Sequence, residues 1–93
     1  MTQYQLHWWP SGAQRSSSET VRLSAESTIR GAALALRHFS QAGCDIHTPE
    51  AHLDIIEPDG SRRMLLVEEV LDWLHEPQQV AFVNDEGLEK LFT

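Results

Sequence analysis

The sequence predicts an α+β fold: a small antiparallel sheet in strand-strand-helix-strand-strand order, packed on one main helix, with short C-terminal helices. Three observations carry that expectation. Apolar residues alternate with polar ones over Tyr4–Trp9 and again over Thr20–Leu23, the period of a half-buried strand. Residues 25–42 carry an apolar stripe at the three-and-four spacing of a helix. Two further apolar runs flank "EPDGS", a turn signal in which proline presets φ and glycine accepts a positive one. The 93 residues fit one domain, read here as 1–93.

The first strand is "YQLHWW", in which Tyr4, Leu6 and Trp8 share one face and Gln5, His7 and Trp9 the other. Pro10-Ser11-Gly12 ends it, and the segment reads as an edge strand. Residues 13–18 are polar and serine-rich, a long and mobile connection to a second strand at Thr20–Leu23. Ser24 is placed to cap the main helix, with Glu26 in its first turn. Ala25, Ile29, Ala32, Leu36 and Phe39 form its buried stripe, and Arg30 and Arg37 lie on a solvated face. The small residues Ala32, Ala33 and Ala35 let it lie close to a sheet, and Gly43 stops it.

Ala51–Glu57 reads as a third strand. Arg62–Leu66 would pair with it as a hairpin and pass into a short helix, where Val67, Val70, Leu71 and Leu74 have helical spacing until Pro77. "QVAFV" (79–83) is expected to form a final strand, and Asp85 to cap a terminal helix from Glu86 to Phe92.

Composition bounds the function classes. A hydrophobic fraction of 41% argues against disorder, and no apolar run approaches the roughly 18 residues needed to span a bilayer. The first residues lack the basic-then-apolar order of a secretory signal, and the lone Cys44 cannot form an internal disulfide, so a cytoplasmic location is expected. The net charge of −7 is unevenly spread: residues 1–43 carry four arginines against two glutamates, and residues 44–93 carry twelve carboxylates against three basic side chains. That balance disfavours nucleic acid, whose affinity comes mainly from neutralised phosphates, and suits a basic protein partner or self-association.

Four constellations could carry chemistry. Cys44, His47 and His52 are zinc-competent residue types, but C-x2-H-x4-H lacks the paired arms of a structural site. Cys44 as a nucleophile would sit at a helix C-terminus, where the dipole disfavours thiolate. Asp72 and His75 have a D-x-x-H spacing that a carboxylate-bridged metal site would need repeated on other helices. Glu68, Asp72 and Glu76, spaced by four, would make one helix face acidic, either a solvated face or a contact for a cationic partner. There is no G-x-S-x-G elbow and no P-loop. No cofactor is expected.

Trp9 is the sharpest candidate, because with Trp8 in the core it must point the other way. It is either covered by the chain's own C-terminal segment, near Phe82 or Phe92, or it forms a partner contact together with His7. The expected function is a non-catalytic protein-interaction or regulatory module, with a homodimer through a sheet edge or the Trp9 face as one form. Its partner-binding residues would be His7, Trp9, Glu68, Asp72 and Glu76. The rival classes are an acidic inhibitor or decoy for another protein's basic, nucleic-acid-facing surface, and a small metal- or thiol-dependent enzyme.

Overall fold

The computed structural model describes residues 1–9, 19–43, 46–47 and 51–92. Four strands, β1 (Thr2–Trp9), β2 (Glu19–Ala25), β3 (His52–Ile56) and β4 (Arg62–Leu66), form an antiparallel sheet in the order β2-β1-β3-β4. Between β2 and β3 the helix α1 (Thr28–Gln41) carries the chain across β1, so that β3 pairs with the far side of β1. After β4 come α2 (Val67–Leu74), a 3₁₀ turn at Pro77–Gln79, α3 (Val80–Glu86) and a second 3₁₀ turn at Glu89–Phe92. The α+β order expected from the sequence is thus the observed one. Among the described residues no helix is long and apolar enough to cross a membrane.

Alternation along β1 decides which side is the core. Tyr4, Leu6 and Trp8 are buried, together with Leu53 and Ile55 of β3, and the next layer is the α1 face of Ala32, Ala33, Ala35, Leu36 and Phe39. Val70 of α2 and Leu88 and Leu91 near the C-terminus complete that cluster. The small-residue face of α1 permits a close approach: a Cβ added at Gly31 would stand 3.2 Å from the Tyr4 ring. Gly43 follows the helix with φ +95°, the left-handed stop expected of it.

Four sequence expectations are corrected. β1 is central rather than an edge, because it has ladders on both sides, to β2 and to β3. The cap of α1 is Ser27, whose Oγ accepts from the Arg30 N–H at 3.3 Å. Ser24 is still in the β2 ladder opposite Gln3 and has no freedom to cap, and Ala25 for the same reason belongs to the strand. "QVAFV" is not a strand. Pro77 starts a 3₁₀ turn, then Val83 is buried while Val80 and Ala81 are exposed, the spacing of a helix whose packing overrides β propensity. Asp85 lies inside α3 instead of capping a later helix. That helix ends at Gly87, φ 64°, with the Leu88 N–H donating to the Val83 carbonyl at 2.9 Å. The long connection at 10–18 lies outside the described residues.

Candidate functional site

The face of the sheet opposite the helices is built by the alternate residues of all four strands. The register places Arg22, Gln5, Ile56 and Arg62 in one cross-strand row, Thr20, His7, Asp54 and Met64 in the next, and Trp9, His52 and Leu66 in a third. Side chains of such a row stand about 5 Å apart, so each touches its neighbours across the strands. Most are half-buried by one another, whereas Met64 is 62% exposed, the most open large apolar residue of the sheet.

Polar groups on this face hold one another in place. The Trp9 indole Nε1–H donates to the Asp54 carboxylate at 2.8 Å, and its ring stacks on His52 with centroids 6.4 Å apart and planes 20° apart. The two ring nitrogens of His7 meet the Thr20 hydroxyl at 2.7 Å and the Gln5 side-chain amide at 3.2 Å. Trp9 therefore spends its polar handle inside the chain and offers a partner its ring surface. A side chain fixed this way loses little rotamer freedom on binding.

Of the two alternatives for Trp9, cover by the C-terminal segment near Phe82 or Phe92 is not what the described residues show. Phe82 packs edge-on against Trp73 and beneath the Arg30 guanidinium, and Phe92 packs against His75. Trp9 is held instead by the adjacent strand β3. His52 and Asp54 are the functional-face residues that sequence reasoning missed. Their signal was the alternation of His52 and Asp54 with Leu53 and Ile55, but only the β1–β3 register shows that this polar set meets Trp9 and His7.

The structure does not bring all five expected contact residues together. His7 and Trp9 lie on the open sheet face, and Glu68 and Asp72 lie on α2, which packs against α1 in the opposite layer. Glu68, Glu69 and Asp72 are exposed, and none of them pairs with a cation among the described residues. Glu68 and Glu69 occupy the first turn of α2, where the helix dipole favours them. Glu76 is not on that face: α2 ends at Leu74, Glu76 is extended at φ −66° and ψ 139°, and its carboxylate accepts from Gln78 Nε2 at 2.8 Å.

Among the described residues no group of three or more His, Cys, Asp or Glu side chains could hold a metal ion. The Cys44 readings lie outside the described residues. The Asp72–His75 pair does not converge with other ligands, and the His75 ring lies 4.2 Å from that of Phe92. A groove of about 490 Å³ between the end of β2, the start of α1 and α3 has Phe82 and Arg30 among its lining residues. Arg30 is committed there, bonded to Glu26 at 2.9 Å and resting 4.8 Å over the Phe82 ring. Comparison with protein-family models, with curated proteins and with solved structures finds no match.

Proposed function

We propose that this chain is a non-catalytic protein-interaction module whose contact surface is the open sheet face around Trp9, His7, Met64 and Leu66. One observation carries the reading: an aromatic ring, a half-buried leucine and a 62%-exposed methionine share one side of the sheet with a polar network that is already ordered. A rigid aromatic with its hydrogen bond satisfied, beside an adaptable thioether, is the residue mix favoured at the centre of protein contacts. The face carries Arg22 and Arg62 against Asp54, whose carboxylate already accepts from Trp9, so a partner here is selected by the aromatic and apolar groups rather than by the acidic second half of the chain.

A second reading keeps the acidic inhibitor or decoy, supported by the exposed and unpaired Glu68, Glu69 and Asp72 on α2. Parallel affinity capture by the wild-type chain, Trp9→Ala and Glu68→Gln/Asp72→Gln separates the two. A partner held by wild type, lost by Trp9→Ala and kept by the carboxylate variant supports the sheet face. The reverse pattern supports α2. A partner kept by both variants overturns the assignment of either surface.

A further inference from the structure

We propose that two copies of this chain associate through the free edge of β4, pairing antiparallel about Met64 and joining their sheets into one. Met64 and Leu66 lend their side chains to the open face, whereas the edge pairing uses their backbone groups. It starts from which backbone groups face outward. In an antiparallel ladder the N–H and C=O of one residue point to the same side, and successive residues alternate. The Ser61 carbonyl accepts from Glu57 N–H and the Val67 N–H donates to the Ala51 carbonyl, both at 2.9 Å. Odd-numbered residues of β4 thus face β3. Arg62 and Met64 turn N–H and C=O outward, and Leu66 turns its N–H outward. Arg62, Arg63 and Met64 are exposed, so no described element covers this edge.

Charge selects a second copy as the occupant. A two-fold pairing centred on Met64 sets Met64 against its equivalent and Arg62 against the partner's Leu66. The basic start of one strand then lies beside the end of the other, where α2 opens with Glu68 and Glu69. Arg62 has no ion pair among the described residues, and neither do these two glutamates. The two-fold forms the same contact at both ends. Two arginines on an edge ordinarily deter pairing, but Arg63 is paired with Glu57 at 3.1 Å within the chain, and the sequence that follows the strand supplies the counter-charge of Arg62. The opposite edge of the sheet fails the same test. Continuing the alternation through β3 and β1 leaves Thr20, Arg22 and Ser24 of β2 facing outward. Self-pairing there would centre Arg22 on Arg22, and like charges directly opposite are destabilising.

The test is the mass by size-exclusion chromatography with light scattering. The wild-type chain is expected at twice 10.6 kDa at high micromolar concentration; a monomer there overturns the proposal. Met64→Pro removes an N–H that no intrachain ladder bond uses, and should weaken the dimer about 10- to 100-fold more than Met64→Ala, which removes the same open-face side chain but keeps that N–H, with the far-ultraviolet spectrum retained in both. A folded Met64→Pro chain that stays dimeric overturns the edge assignment. Should that variant fail to fold, charge decides. Arg62→Glu alone and Glu68→Lys/Glu69→Lys alone should each be monomeric, and a mixture of the two should dimerise, since both contacts are then opposite in sign. Two variants that remain dimeric alone, or a mixture that does not dimerise, refute the antiparallel register. A dimer lost only on Trp9→Ala assigns self-association to the open face and overturns the β4 edge.

Discussion

Replacing Trp8 and Trp9 by alanine, one at a time, separates two neighbours that differ by one position and by one face. Trp8 is 5% exposed and lies among Leu6, Leu53 and the α1 layer. Its Nε1 has no hydrogen-bond partner among the described residues, so its truncation forfeits packing alone. A buried aromatic truncated to alanine costs about 3–5 kcal/mol, the transfer term plus the cavity left behind. Trp9 is half-buried and has little to collapse around it. It loses part of its area term and one hydrogen bond to a carboxylate that water can reach, together about 1–2 kcal/mol. Urea unfolding followed by far-ultraviolet circular dichroism reads both, at one protein concentration so that self-association does not shift the comparison. The midpoint for Trp8→Ala should fall at least twice as far as that for Trp9→Ala. Equal losses, or a larger loss at Trp9, would refute the assignment of the two faces.

Two further outcomes follow from side chains that hold connections in place. Arg37 of α1 donates to the Glu86 carbonyl at the end of α3 and to the Glu86 carboxylate at 3.3 Å, with both side chains more than a third exposed. Arg37→Ala should cost about 1 kcal/mol once solvent screening is allowed for, and hydrogen exchange should quicken at Gly87 and Leu88 before the sheet changes. Asp59 receives the Ser61 backbone N–H at 2.9 Å in the β3–β4 turn, and that bond holds its carboxyl below the ordinary value of 3.8. A depressed folded pKa contributes stability above the unfolded value and loses it as pH falls through the folded one. Asp59→Asn should therefore lower the melting temperature at pH 7, and the difference should close as pH falls through the folded value; a gap that widens in acid contradicts the bond.

Much of this fold was readable because period and punctuation agree. The β3–β4 hairpin follows from apolar runs around "EPDGS", and α1 follows from its stripe and from Gly43. The errors fall where a local signal had two physical outcomes. A serine near a helix start caps only if its backbone is free of a ladder, and that separates Ser27 from Ser24. The β-branched residues at 80 and 83 favour a strand locally, and the burial of Val83 with Val80 and Ala81 exposed selects the helix. The acidic spacing of 68, 72 and 76 assumed a helix long enough to hold all three, whereas α2 stops at Leu74.

For the candidate site the division is sharper. Alternation along one strand sufficed to send Trp8 inward and Trp9 outward, because side-chain direction on a strand is a local property of the backbone. What Trp9 meets is a property of register. Crossing α1 placed β3 against β1, set Trp9 opposite His52 and brought Asp54 to its indole nitrogen, and the same ladders turned Arg62 and Met64 toward an open edge. The β1–β3 pairings join residues more than forty positions apart, and only the packed sheet decides them.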